Sequence, residues 1–160
     1  MNIIEKFVVE STGKVIVNKN ARDWCLLPYP GHPKGCPNYG KKIICPPTVP
    51  LITSFFDLNK PSWFVVISFD LKSHMEKMKQ KHESWSDRQC KCVLYWQKGA
   101  NKILKEYALS ILKQKQNTRI TTCPEAMGVN VILTLRSLSI PIKTKPVDIV
   151  YKAIFIGFKK

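Results

Sequence analysis

Hydrophobic positions recur along the chain in several different rhythms, and each rhythm predicts a different element. Ser62–Phe69 reads Ser-Trp-Phe-Val-Val-Ile-Ser-Phe, a nearly unbroken apolar run that predicts a central strand covered on both faces. Val147–Phe158, containing Ile149-Val150-Tyr151 and Ala153-Ile154-Phe155-Ile156, predicts a closing strand. Near the start, Ile3-Ile4…Phe7-Val8-Val9 and Val15-Ile16-Val17 flank Ser11-Thr12-Gly13-Lys14 and read as two strands around a turn. Ala100, Ile103, Leu104, Tyr107, Ala108, Ile111 and Leu112 recur at steps of three and one, the single apolar stripe of an amphipathic helix. The whole of 71–116 reads as helical, with a break near Gly99. A short helix is expected from Thr48 to Leu58 with Thr48 as its N-cap, then a short strand over 118–122 and a helix over 125–138. This order predicts an α/β fold of the mixed α+β sandwich type, with helices packed on a small central sheet. A length of 160 residues fits one domain, spanning 1–160.

One stretch follows no rhythm. Residues 24–50 hold seven of the eleven prolines, together with Gly31, Gly35 and Gly40. Neither a helix nor a central strand survives that density of fixed φ angles and missing N–H donors. A loop of this length inside a compact domain needs an organiser. It carries Cys25, Cys36 and Cys45, separated by ten and eight residues, so a bound metal is the natural candidate. These spacings differ from the paired ligands of zinc knuckles and from the compact ferredoxin run.

Composition adds two facts. The six cysteines come with no basic, apolar start at Met1–Lys6, so a cytoplasmic location is expected, where thiols stay reduced and point to metal binding. The longest apolar runs fall short of the ~18 residues that span a bilayer, so no membrane partner is expected. The second fact is a net charge of +15, from 26 Lys+Arg against 11 Asp+Glu. Lysine enrichment follows from an AT-rich genome, but the same bias would enrich glutamate, and acidic residues are scarce. An anionic partner is therefore expected, either a nucleic acid such as RNA or an anionic small molecule. Residues 72–119 hold 12 Lys+Arg against 4 Asp+Glu, and Trp85, Tyr95 and Trp96 lie among them. Those aromatics either stack on bases or belong to the core, and at least two of the three are expected in the core. His74 and His82 lie in this lysine-rich stretch and are expected to face solvent. No Gly-rich phosphate loop, nucleophile elbow or His-Glu-x-x-His motif is present, and Asp23 reads as a turn cap.

The string Lys34-Gly35-Cys36-Pro37-Asn38-Tyr39-Gly40-Lys41-Lys42-Ile43-Ile44-Cys45-Pro46-Pro47-Thr48-Val49-Pro50 resembles a family of small prokaryotic predicted metal-binding proteins. A second patch, Pro124-Glu125-Ala126-Met127-Gly128-Val129-Asn130-Val131, is similar to that family's C-terminal segment. Together the two patches frame residues 25–142. The resemblance implies a metal or iron–sulfur site on Cys25, Cys36 and Cys45. This chain departs from the pattern in a longer first spacer, which adds Pro28–Pro33, and in a second cysteine group reduced to Cys90, Cys92 and Cys123.

Cys90 and Cys92 are one residue apart, which turns their side chains away from each other on a helix or a strand. Cys123, before Pro124, is the better fourth ligand. Three or four thiolates suit zinc or an iron–sulfur cluster, and His32 offers a route to a Cys3His zinc site. The broad spacing and the family's cysteine richness favour an iron–sulfur cluster of the 4Fe-4S type, with zinc as the alternative. Lys34, Lys41 and Lys42 place positive charge beside these cysteines, and Tyr39 stands between them, so these four are the expected substrate- or anion-binding residues. Two functions follow. One is a metal-binding protein acting on an anionic or nucleotide-like substrate; the other is a non-enzymatic nucleic-acid-binding module with a structural metal.

Overall fold

The computed structural model describes residues 1–29 and 31–160. Its centre is one antiparallel sheet of β1 (Ile3–Glu10), β2 (Trp63–Asp70), β3 (Thr118–Thr121) and β4 (Ile149–Phe158), in the order β1-β2-β4-β3. Around it lie the helices α1 (Ile52–Phe55), α2 (Leu71–Lys81), α3 (Asp87–Cys90), α4 (Gln97–Gln114) and α5 (Val131–Ser137). Turns of 3-10 helix occupy Lys19–Leu26, Val93–Tyr95 and Pro124–Met127. The mixed α/β class expected from the sequence is the class observed.

Both faces of the sheet are covered, which is why β2 reads as an unbroken apolar run. Phe64, Val66 and Phe155 face one core, closed by Ile52 of α1, by Phe56, and by Val131 and Leu135 of α5. Val65, Ile67, Phe69, Ile154 and Ile156 face the other, closed by Trp96 and by Ala100, Leu104 and Ala108 of α4. The alanines let α4 lie close to the sheet, and its stripe is the one the periodicity predicted.

Several elements differ from expectation, each for a local reason. Val15–Val17 does not pair into the sheet: β1 pairs with β2, and Val17 makes only an isolated bridge to Val129. The segment instead lies along α5, with the Ile16 N–H donating to Thr134 Oγ1 (3.0 Å). The helix expected from Thr48 is confined to Ile52–Phe55, because Pro50 disfavours helical geometry at Val49. The long helical stretch breaks over 82–96, where Ser86 and Gln89 form a capping box that starts α3. Gly99 sits inside α4 and leaves room for the Met1 side chain. The helix expected over 125–138 splits at Gly128, whose φ of 85° belongs to the left-handed region, and α5 restarts on an Asn130 cap.

His74 also departs from expectation. Its ring packs 5.6 Å from Phe69, its Nε2 is buried without a partner among the described residues, and burial pushes its pKa down. Of the three aromatics in the basic segment, only Trp96 is core, stacked 4.6 Å from Phe69. No helix among the described residues is long and apolar enough to cross a membrane.

Candidate metal centre

The proline-rich loop is held by successive backbone turns rather than by core contacts. Cys25 sits on the last turn of the 3-10 helix Lys19–Leu26, which Asn18 caps by accepting from the Asn20 N–H (3.0 Å). The chain then doubles back, and the Cys36 N–H donates to the Cys25 carbonyl (2.7 Å). Gly35 makes this return possible. Its φ is +83°, and a Cβ there would lie 2.6 Å from the Cys25 carbonyl oxygen and 2.7 Å from the Leu26 backbone. Only glycine meets both demands.

Beyond Cys36, overlapping turns carry the chain to Cys45. Tyr39 N–H donates to Cys36 O (3.1 Å), Gly40 N–H to Pro46 O (2.7 Å), Cys45 N–H to Lys42 O (2.9 Å) and Val49 N–H to Cys45 O (3.0 Å). Arg22 then ties the far end of the loop to the 3-10 helix, its guanidinium donating to the carbonyls of Pro47 (2.9 Å) and Val49 (2.7 Å).

Cys123 arrives from the opposite end of the sequence. The chain leaves β3 at Thr121 and enters the 3-10 turn Pro124–Met127, which packs against Lys19–Leu26. The Asn18 N–H donates to the Gly128 carbonyl (2.7 Å) and fixes that docking. Cys25 and Cys123 therefore reach one neighbourhood across most of the chain.

The electrostatics report the same gathering. Burial pushes the Cys25 thiol up, and charge on Cys36, Cys45, Cys123 and Glu125 pushes it further. The Cys123 thiol is raised by desolvation from the groups around it and then by Glu125, although the residue is exposed at the surface. Cys25 thus lies within reach of charge on the other three expected ligands, and Cys123 within reach of Cys45. Among the described residues, no three His, Cys, Asp or Glu side chains close to the spacing that grips a single ion.

The remaining candidates fall elsewhere. Cys90 is buried at the end of α3, and Cys92 is half-buried in the turn that follows. His32 is engaged with Tyr29 through paired backbone hydrogen bonds (2.9 and 3.2 Å) and ring contact at 4.7 Å. Lys34, Lys41 and Lys42 are exposed on the cysteine loop, and Tyr39 is half-buried there.

Three further residues belong to this region. One is Arg22, described above. The other two, Glu125 and Lys152, line one cavity with Cys123 without forming an ion pair. Burial raises the Glu125 carboxyl above the usual carboxylate range and lowers the Lys152 ammonium, while each favours the other's charged form. The signal for Lys152 was present in the sequence, as a lysine within the otherwise apolar run of β4.

Beside the centre the sheet edge is open. β3 pairs with β4 only along Phe155–Phe158, although β4 begins at Ile149. A cavity of about 620 Å³ fills the gap, walled by Trp24, Thr122, Cys123 and Glu125, by one side of α4, and by Lys143 and Thr144. A second cavity of about 900 Å³ adjoins it, and the two share Gln97, Pro146, Val150, Tyr151 and Lys152 as wall residues.

One family model, described as "Predicted metal-binding protein (DUF2284)", matches residues 11–115 of the chain. The match takes in Cys25, Cys36, Cys45, Cys90 and Cys92 and stops short of Cys123. No curated protein and no solved structure matches the chain.

Proposed function

The chain belongs to this predicted metal-binding family, and on that premise we propose that its centre is an iron–sulfur cluster held by Cys25, Cys36, Cys45 and Cys123. The observation that carries the reading is the convergence itself: the Cys36 N–H sits on the Cys25 carbonyl, the turn after Cys123 packs on the 3-10 helix whose last turn holds Cys25, and Cys25 lies within reach of charge on Cys36, Cys45 and Cys123. The donor set is all sulfur, which suits soft metals, and Gly35 provides the close backbone approach that sets Cys36 beside Cys25. The broad spacers, unlike the closely paired ligands of structural zinc sites, together with the family's cysteine richness favour a cluster over a zinc ion.

Such a group supplies electron exchange or, at an iron with a free position, Lewis-acid polarisation of a substrate oxygen. The chain's own residues set its surroundings. Lys34, Lys41 and Lys42 bring positive charge to the loop, which offsets thiolate charge and draws an anionic substrate, with Tyr39 beside them. This reading places the protein in the cytoplasm, where the thiols stay reduced.

Anaerobic purification is expected to yield a brown protein containing iron and acid-labile sulfide. Stoichiometric zinc in a colourless protein would replace the cluster with the alternative. A metal-free, fully folded preparation with six titratable thiols would overturn the metal reading altogether.

A specific observation favours a second activity. His82 stacks on Trp85 (4.0 Å, 10° between planes), Trp85 lies 5.1 Å from Tyr95, and Tyr95 is 53% exposed. This aromatic row lies in the basic segment and suits stacking on the bases of single-stranded RNA. Oligouridine binding is expected to weaken steeply with salt, and Trp85→Ala with Tyr95→Ala to weaken it about tenfold or more, at roughly 1–3 kcal/mol per stacked base. Absent or salt-insensitive binding excludes this activity.

A further inference from the structure

The open edge of the sheet is lined in a way that metal binding does not require. In β4 the side chains of Val150, Ile154 and Ile156 enter the core beneath α4, so alternation turns Lys152 to that same side. Lys152 is half-buried there, inside the wall shared by the two cavities, and forms no ion pair or side-chain hydrogen bond with the described residues. A cation in that position carries a desolvation cost that ordinary core packing does not demand.

The rest of the cleft has a consistent chemistry. Along the larger cavity, Arg88, Lys91 and Lys145 join Lys152, and no carboxylate among the described residues lines that part. The same cavity has apolar lining as well, from Val93, Trp96, Pro146 and Val150. At the inner end Cys123 and Glu125 mark the boundary with the cysteine neighbourhood. The volumes match those of pockets that enclose small organic ligands, roughly 300–1,000 Å³.

We propose that this cleft binds an organic phosphate of nucleoside-monophosphate size, with its phosphate on Lys152 and the Arg88–Lys91 rim and its organic body against Val93, Trp96 and Val150. An arginine fork together with lysine point charges is the combination that recognises phosphate, and the apolar wall adds affinity for a body that inorganic phosphate lacks. The inference rests on the anionic-substrate reading above and gives it a location: the substrate lies between residues 88–97 and the first half of β4, against Tyr29 and Pro33 of the cysteine loop, with Lys152 shared with the cavity that Cys123 lines, and the loop lysines act on its approach. It does not depend on which metal the cysteines hold.

The test is calorimetric titration of the purified protein with adenosine and uridine 5′-monophosphates, with adenosine and inorganic phosphate as partial ligands. Metal content is measured on the same samples. At least one nucleoside monophosphate is expected to bind at least tenfold more tightly than either fragment. Lys152→Gln is expected to weaken that binding tenfold or more. Arg88→Gln with Lys91→Gln, both exposed and tolerant of change, is expected to do the same without altering the unfolding midpoint. Lys98→Gln with Lys102→Gln removes equal charge from exposed positions of α4 outside the cleft and is expected to change affinity less than twofold.

Failure of both monophosphates to bind at millimolar concentration overturns the proposal, as does equal binding of inorganic phosphate alone. Equal weakening by the Lys98/Lys102 variant also overturns it, since the effect would then be net charge. A metal-free sample that binds the nucleotide with the expected variant pattern upholds the cleft while refuting the metal centre. A metal-loaded sample that binds neither monophosphate refutes the cleft alone.

Discussion

Cys36→Ser is expected to strip the protein of its metal, while Cys90→Ala leaves metal content at the level of the unaltered chain. Cys36 stands at the fold-back of the loop, its N–H on the Cys25 carbonyl at 2.7 Å and its own carbonyl accepting from Tyr39. A serine there keeps those backbone bonds and the side-chain volume, and it removes only the thiolate. A serine hydroxyl remains protonated at neutral pH and is a hard donor, so it does not replace sulfur on a soft metal. Loss of a direct ligand should exceed the roughly 10–100-fold cost in affinity typical of residues that merely orient ligands. Cys90 is 1% exposed at the end of α3, and its truncation tests whether any cysteine loss would do the same by disturbing the core. Iron, zinc and sulfide analysis of the two variants, with far-ultraviolet circular dichroism as a check on folding, decides the matter. Full metal retention in Cys36→Ser would remove that residue from the centre.

Gly35→Ala is expected to lose the metal as well, by geometry and without touching a ligand. The left-handed backbone costs an alanine about 1–3 kcal/mol in strain. The added Cβ would also meet the Cys25 carbonyl oxygen at 2.6 Å and the Leu26 backbone at 2.7 Å. Those are main-chain atoms, so relief requires Cys36 to move away from Cys25. Gly13→Ala isolates the two effects: Gly13 has φ of +70° and open space within 4 Å of an added Cβ. Gly13→Ala should lose a little stability in thermal unfolding and keep its metal. If Gly35→Ala matches it in both metal content and midpoint, the close approach at Cys25 has no role in the centre.

The elements that depend on side-chain burial were readable from the sequence. β2, β4 and the stripe of α4 each face a core, so their apolar patterns record the covering directly. Val15–Val17 misled because its β-branched residues suit a strand, yet Ile16 and Val17 are each 37% exposed and the hydrogen bonds go to α5 and its flanks. Helix limits over 82–96 and around Gly128 follow from caps and a left-handed residue, which leave weak marks in a pattern of polar and apolar letters.

The cysteines stood out because Pro and Gly crowd around three of them. Their neighbours did not. Arg22 acts through two distant carbonyls, and Lys152 and Glu125 come to one cavity only because β3 ends early and the 3-10 turn Pro124–Met127 docks on Lys19–Leu26. No local spacing encodes such a meeting.

The loop's poverty in core contacts divides the molecule into parts that can open separately. Neither core includes a described residue from 27–48, whereas Val49, just beyond, is anchored in one of them. The free energy of detaching that stretch is therefore local, set by its turns, by Arg22 and by whatever the thiols hold, while the sheet answers to a separate and larger reserve. A ligand bridging positions 25 and 123 would act like a clasp between two segments far apart in the chain. Its departure would expose the stretch to proteases well before the sheet unfolds, so the protein's lifetime would track occupancy of the centre rather than global stability.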